Sequence, residues 1–561
     1  MSITSIARNL FAPRWRELER HQSEGEQLQR EVLRRLLERA KDTDFGRRHL
    51  FAATKGYDDF VRNTPLCSYE ELKGDIDRMR QGESDLLWPG RVKWYAKSSG
   101  TTNDKSKFIP VSADGLKRLH YRGGTDVVAL YLRNNPQSRM FDGRGLILGG
   151  SHAPNYNLPG TLVGDLSAIL IENINPLVNL FRVPSKETAL LSDFEVKRDR
   201  IAREAMTKNV SNLSGVPSWM LSVLGRVMEL SGKQHLEEVW PNLEVFFHGG
   251  VAFTPYREQY EQLITSPRMH YMETYNASEG FFGIQDDPQD KSMLLMLDYD
   301  CFYEFVELGV RSEELGVRSE ELGVRSEELG VRSEELGVRS EELGVRSEEL
   351  GVKSEELGVR SERATTPHSS LLTLNSKAVP LWGVEPGKNY AVVISTSCGL
   401  WRYMLGDTVR FTSTNPYKFV ISGRTKSFIN AFGEELIVDN AEQGLAYACE
   451  KTGAQVLEYT AAPVFMDSRA KCRHQWLIEF STPLPDVAAF ADILDRKLQE
   501  LNSDYEAKRY KDITLQPLEI VVARRGLFND WLKSRGKLGG QHKVPRLSNG
   551  REHIDQLLAM Q

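Results

Sequence analysis

The sequence predicts a mixed α/β fold with a large N-terminal domain, a small C-terminal αβ domain and an inserted repeat. Three observations predict it. Apolar strand patterns ending in glycine turns are mixed with helical patterns through residues 1–424. Residues 425–561 form a compact run of helix and strand patterns of their own, which places a boundary near 424–426. Between the two best strand regions, the heptapeptide ELGVRSE recurs eight times over 307–362, with Lys353 replacing Arg once.

Taken in order, residues 15–41 read as an amphipathic helix, because Leu18, Leu28, Val32, Leu36 and Leu37 fall at helical spacing. NLEVFFHGG (242–250) reads as a strand ending in a glycine turn, and 268–285 as strand, turn, strand. After the repeat, NYAVVIST and DTVRFTS alternate like antiparallel strands, and YKFVISGR (417–424) is another strand. In the tail, Asp439 or Asn440 caps a helix through Glu450, 473–480 is a strand and 486–510 a long helix.

Composition excludes several classes. The chain has 561 residues, 40% hydrophobic and 27% charged, ordinary for a soluble globular protein with a large core. A net charge of −6 argues against a strongly basic nucleic-acid binder. Each repeat copy carries −1, so the eight copies carry −8 and the other 505 residues +2; the acidity belongs to the repeat. Its apolar residues lie two apart and each copy holds a Gly, which disfavours a coiled coil and fits an exposed insertion without catalytic role. No apolar run reaches the ~18–20 residues of a membrane span. Arg8, Arg14 and Arg16 interrupt any signal-peptide core. Five scattered cysteines without a C-x-x-C pair indicate neither a disulfide framework nor a zinc site, so the cytoplasm is the expected compartment.

Five motifs carry chemistry. Residues 98–107, SSGTTNDKSK, follow an apolar piece; hydroxyls and a Gly let the backbone approach phosphate oxygens, and Lys105 or Lys107 supplies compensating charge. The spacing is not that of a Walker loop. In Tyr275-Asn276-Ala277-Ser278-Glu279-Gly280, a Tyr face can stack on a purine, Ser278 can bind a phosphate oxygen and Glu279 can hold magnesium. Just upstream, His248-Gly249-Gly250-Val251-Ala252 is a turn able to present backbone groups to an adenine edge. In Tyr403-Met404-Leu405-Gly406-Asp407 the carboxylate can accept both ribose hydroxyls, although a hairpin turn explains the pattern equally simply. Gly423-Arg424-Thr425-Lys426 offers Arg424 for bidentate donation, and residues 540–546, GQHKVPR, place a lysine near the C-terminus.

In this order, the motifs resemble those of the adenylate-forming superfamily of acyl-CoA synthetases, luciferases and adenylation domains. Within it, Ser98-Ser99-Gly100-Thr101-Thr102 with Lys107 and Ile109-Pro110, and the block Gly399-Leu400-Trp401-Arg402-Tyr403 through Gly406-Asp407, look most like the Gretchen Hagen family. These are the acyl-acid amido synthetases known as auxin-responsive promoter proteins. The resemblance covers the chain except the repeat, with Asp104 standing where plant members carry Gly, and the repeat points to a bacterial chain. It implies the adenylate-forming fold, a large domain (1–424) and a small mobile one (425–561) with ATP and Mg2+ between them. Residue by residue, it implies phosphate contacts from Ser98, Ser99, Thr101, Thr102 and Lys107, and an adenine edge at Gly250 and Val251. Tyr275 would stack on adenine, Ser278 would sit near the α-phosphate, Glu279 on magnesium and Asp407 on the ribose. Arg424 and Lys426 would lie at the hinge, and Lys543, with Lys537 as alternative, would be the catalytic lysine. The implied activity is ATP-dependent acid–amino acid ligation, with a small carboxylic acid and an amine as partners and neither nucleic acid nor membrane. A thiol acceptor such as coenzyme A, or a non-catalytic nucleotide-binding scaffold, are the rival functions.

Overall fold

The computed structural model describes residues 3–98, 107–250, 253, 256–308, 378–424, 428–429, 434, 436–464, 473–482, 486–502, 505–506, 509, 515–535 and 544–561. The strands come in chain order. The first group is β1 (Trp94–Ser98), β2 (Lys107–Val111), β3 (Arg144–Ile147), β4 (Leu162–Gly164), β5 (Arg182–Val183), β6 (Val210–Gly215) and β7 (Val245–Gly249). Next come β8 (His270–Ala277), β9 (Gly280–Ile284), β10 (Met293–Leu295), β11 (Cys301–Leu308), β12 (Val379–Pro380), β13 (Asn389–Thr396), β14 (Tyr403–Thr414) and β15 (Tyr417–Arg424). The last are β16 (Phe428–Ile429), β17 (Leu436–Ile437), β18 (Val456–Val464), β19 (Arg473–Phe480) and β20 (Glu519–Ala523).

Twelve strands form one sheet in the order β12-β11-β13-β14-β15-β10-β9-β8-β7-β6-β3-β5. From β5 to β8 the pairs are parallel, so the carboxyl ends of β3, β6, β7 and β8 share one edge, where open α/β sheets bind ligands. At β8–β9 the sheet turns antiparallel. A separate small sheet, β2-β1-β4, carries the β1–β2 hairpin.

The core is aromatic and aliphatic. Trp401, Tyr403, Tyr299, Tyr303 and Phe302 are fully buried in the main cluster, and Trp240, Tyr260 and Phe246 in a second one by β6 and β7. Toward the C-terminus, the sheet β18-β19-β20 is covered by helices Val438–Thr452 and Val487–Leu501, whose Phe490, Leu494 and Leu498 pack on Tyr459 and Trp476.

The amphipathic stretch 15–41 is two helices, Ile3–Glu19 and Gly25–Ala40, separated by a 3-10 turn. A Cβ on Gly25, the first residue of the second helix, would stand 2.6 Å from the Tyr417 ring, so a glycine is needed where this helix starts against that strand. The helix expected over 486–510 is described as Val487–Leu501, capped by Asp486 and closed at Asn502. The next helix start is as expected in part: Asn440 accepts from the Ile437 N–H at 3.3 Å, but from inside the first turn.

Candidate active site

Ser98 and Lys107 are the last paired residues of the β1–β2 hairpin, directly opposite one another, so both side chains lie on one face where the Ser/Thr-rich connection leaves and returns. Ser99, Thr101 and Thr102 in that connection lie outside the described residues, as do Val251, Lys426, Lys537 and Lys543. The Lys107 Nζ donates to the Tyr403 hydroxyl at 3.2 Å.

The second motif forms the β8–β9 connection. Ala277 pairs with Gly280, which leaves Ser278 and Glu279 as a two-residue hairpin loop. Both are buried, at 5% and 6% exposure, although a two-residue loop is ordinarily wet. The Glu279 charge reaches Tyr403: burial, and then Glu279, hold the Tyr403 phenol well above its ordinary range. The tyrosine therefore stays neutral and can accept from Lys107.

The buried Tyr275 ring meets Phe282 (centroids 5.0 Å) and Phe419 (5.9 Å) at 60° and 62°. The Tyr275 hydroxyl donates to Asp407 Oδ2 at 2.7 Å. Asp407 is not on a hairpin turn. It lies within β14, buried and opposite Arg424 of β15, with Gly406 before it at φ +90°. Burial there costs a carboxylate free energy unless donors meet it, which Tyr275 does in part.

The glycine turn after β7 stands beside the same place. A Cβ on Gly249 would be 2.3 Å from the Thr274 carbonyl, one residue from Tyr275, and Gly250 adopts φ +84°. Opposite each other on β7 and β8 sit His248 and Glu273. Burial, helped by Arg257, pushes His248 down to about 3; burial, helped by the Glu442 charge, pushes Glu273 up to about 7.

The start of β14 is set by the Gly399–Tyr403 run. Gly399 has φ +85°, with Leu87 in its Cβ space at 2.8 Å. Trp401 donates to the Leu87 carbonyl at 2.9 Å. Arg402, at φ 42°, places its guanidinium against Glu304 (2.8 Å) and the Thr64 carbonyl (2.7 Å). The Cys67 carbonyl accepts from Met404 N–H at 2.8 Å, so β14 begins earlier than the alternating pattern at 407 shows.

The arrangement thus gathers Lys107, Tyr403, Glu279, Asp407 and Tyr275, from three separated motifs, beside the glycine turn at the carboxyl edge of the parallel strands. Two buried carboxylates grouped with two tyrosine hydroxyls, one of which holds a lysine, can bind a polyhydroxylated, anionic ligand and its cation. Among the described residues no group of three or more His, Cys, Asp or Glu forms a metal cage. A magnesium ion held by one carboxylate with phosphate oxygens needs none, so the donor set at Glu279 fits that ion. Sequence reasoning passed over Tyr403 as a functional group, although its motif was read for Asp407, and over Tyr69, for which the sequence shows only a helix-capping pattern.

Comparison with known proteins gives three family-model matches: the GH3 family N-terminal domain over residues 14–269, its central domain over 359–424 and its C-terminal domain over 439–552. Indole-3-acetic acid-amido synthetase GH3.3 of Arabidopsis thaliana is 23% identical over 92% of this chain and 89% of that protein. Jasmonoyl--L-amino acid synthetase GH3.5 of Oryza sativa subsp. japonica is 29% identical over 32% of each. These relatives are plant proteins and lend the bacterial expectation no support. The fold is similar to that of the AtGH3.15 acyl acid amido synthetase in complex with 2,4-DB (18% identity, 97% and 95% of the two chains, TM-score 0.72). It is also similar to that of a 2-hydroxyisobutyryl-CoA ligase (12% identity, 96% and 94%, TM-score 0.51).

Proposed function

This chain belongs to the GH3 family, and on that basis we propose that it is an ATP-dependent ligase that activates a carboxylic acid as its acyl-adenylate and passes the acyl group to an amine, an amino acid. The observation that carries this reading is the meeting of Lys107, Glu279 and Asp407 around Tyr403 and Tyr275, at the edge of the sheet where α/β folds take ligands.

A carboxylate is a poor electrophile and repels a triphosphate. Lys107 and the hydroxyls of the 98–102 run lower that repulsion and hold the α-phosphate for in-line attack by the carboxylate oxygen, which breaks the bond between the α-phosphorus and the bridging oxygen, releases pyrophosphate and leaves the acyl-adenylate. Asp407, oriented by Tyr275, accepts the ribose hydroxyls and fixes the nucleotide's register. Glu279, with Ser278 beside it, would hold magnesium, which neutralises phosphate charge when bound. Lys543 of the C-terminal tail supplies positive charge to the adenylation step, with Lys537 as its alternative. Arg424 and Lys426 lie at the boundary between a 1–424 domain and a 425–561 domain that moves between the two half-reactions. The amine then attacks the acyl carbonyl, the C–O bond to phosphate breaks, and amide and AMP leave. No covalent enzyme nucleophile is needed. The described helices include none long and apolar enough to cross a membrane, and we place the enzyme in the cytoplasm.

The test is pyrophosphate release from ATP and magnesium across a panel of carboxylic acids, with and without amino acids, and mass analysis of the product. An acid-dependent signal and an amide mass are expected. A thioester formed with coenzyme A in place of the amide would reassign the acceptor. No acid-dependent pyrophosphate with any panel member would refute the ligase reading.

A further inference from the structure

Lys107 does not reach the site as a loose surface lysine. Its ammonium lies 5.7 Å from the ring centroid of Tyr69, inside the range of cation–π attraction. It also donates to the Tyr403 hydroxyl at 3.2 Å, the one hydrogen-bond partner given to it among the described residues. An ammonium has three donors, so this contact leaves others for a ligand.

Both rings are themselves pinned. Tyr69 is the first residue of helix Tyr69–Arg80, started by a Ser68–Glu71 capping box in which the Glu71 carboxylate accepts from Ser68 N–H at 2.6 Å. Its hydroxyl accepts from the Phe108 N–H at 2.9 Å, which ties the helix start to the residue next to Lys107. The residue before the cap, Cys67, bonds the backbone on both sides of Tyr403: Cys67 N–H to the Arg402 carbonyl at 2.9 Å, and Met404 N–H to the Cys67 carbonyl at 2.8 Å. One short segment, 67–69, therefore holds the hairpin that carries Lys107 and the strand that carries Tyr403.

We propose that Tyr69 and Tyr403 are positioning residues, a two-tyrosine clamp that aims the Lys107 ammonium at the triphosphate of the bound nucleotide. The proposal rests on the ligase reading for the identity of that nucleotide. A lysine side chain loses much rotamer freedom when it is fixed, and a clamp that holds it before ATP arrives removes part of that cost from binding. The same clamp ties the phosphate end of the site to Glu279, whose charge bears on Tyr403. Neither tyrosine needs to touch the reacting atoms.

The experiment is calorimetric titration with ATP plus magnesium and, separately, with adenosine, on the full chain and on K107A, Y403F, Y69F and the double variant K107A/Y403F. K107A is expected to weaken ATP about tenfold or more while leaving adenosine unchanged. Y403F, which removes the hydroxyl that Lys107 donates to, and Y69F, which keeps the ring but cuts its tie to Phe108 N–H and so its aim, are each expected to weaken ATP several-fold, again without effect on adenosine. The double variant is expected to bind ATP no more weakly than K107A, because a clamp with nothing to hold has no further effect. A purely structural role for Tyr403 would instead make the two losses multiply and would weaken adenosine as well; either result overturns the clamp. Wild-type ATP affinity in Y403F and Y69F with a loss in K107A overturns the clamp but leaves the ligase reading standing. Wild-type ATP affinity in K107A removes the lysine from the site and both conclusions about it with it. Y69F alters a residue at a helix start, and so carries the test if Y403F, at the fully buried position, does not fold.

Discussion

Replacing Asp407 with Asn isolates the ribose end of the site from the phosphate end. The side chain is 8% exposed and accepts from the Tyr275 hydroxyl at 2.7 Å. Asn keeps the shape but exchanges a charged acceptor pair for one acceptor and one donor, so one ribose hydroxyl meets a donor where it needs an acceptor. Hydrogen bonds to charged groups are worth ~1.5–3 kcal/mol, and ~1.4 kcal/mol is a tenfold change in affinity. D407N should therefore weaken ATP by roughly ten- to a hundredfold. Adenosine, which carries the same ribose and no phosphate, should lose the same factor, in contrast to K107A. Y275F removes only the donor that orients the carboxylate and leaves the carboxylate itself, so the loss should be smaller than in D407N, roughly fivefold for both ligands (~1 kcal/mol). Calorimetry at constant ionic strength, with thermal melts to show that the variants remain folded, measures all four numbers. Unchanged ATP affinity in folded D407N would take Asp407 out of the nucleotide site. A loss for ATP without one for adenosine would place Asp407 at the phosphates and refute the ribose assignment.

Three further outcomes are expected. Deleting residues 314–362, seven of the eight repeat copies, should leave pyrophosphate release within a few-fold of the full chain. The flanking β11 and β12 pair antiparallel, with Phe305 opposite Val379, so a shorter connection still closes at little cost. E304A should destabilise the protein by ~3–5 kcal/mol in chemical denaturation, because it leaves the buried Arg402 guanidinium without its carboxylate; a change under 1 kcal/mol would mean the pair contributes nothing to stability. Glu273 is protonated in the folded protein up to about pH 7 but only up to about 4.5 when unfolded. The native state therefore holds the extra proton, and stability present at pH 4.5 and below is lost progressively as pH rises from about 4.5 to about 7, a loss of about 3 kcal/mol. E273Q should flatten the fall in melting temperature between pH 5 and 8, and an unchanged slope would show that Glu273 is not the group responsible.

What the sequence made legible was local. Turn glycines, capping residues and alternating apolar runs act within a few residues, so the β7 turn, the β8–β9 hairpin and the C-terminal helix starts could be read directly. The order of the motifs carried the family. What stayed hidden depends on contacts between distant segments. The need for glycine at position 25 comes from Tyr417, almost four hundred residues downstream. The early start of β14 depends on Cys67 pairing beside it. The bond from the Tyr275 hydroxyl to Asp407, 132 residues downstream, is one no local pattern announces. Tyr69 has no signal of its own: as a sequence it is one residue of a capping box, and its place beside Lys107 exists only once the hairpin is folded against the helix.

The Gly399–Asp407 block shows why a motif should not be equated with a site. In the proposed site Asp407 and Tyr403 serve the nucleotide, whereas Gly399, Trp401 and Arg402 pack against Leu87, Glu304 and the Thr64 carbonyl. Gly399 and Arg402 hold positive-φ backbone, which for a non-glycine residue such as Arg402 costs on the order of 1–3 kcal/mol. That strain persists because the guanidinium is over-determined by Glu304 and the Thr64 carbonyl, and because Trp401 is anchored on Leu87. The same anchors set the direction in which β14 leaves, and hence where the Tyr403 hydroxyl and the Asp407 carboxylate stand relative to Lys107 and Tyr275. A substitution at Arg402 or Glu304 would therefore depress activity without removing any group that touches ATP. The distinguishing mark is the pattern of loss. Scaffold substitutions should weaken ATP and adenosine together and lower the melting temperature. Asp407 should weaken both ligands at constant stability, and Lys107 should weaken ATP alone.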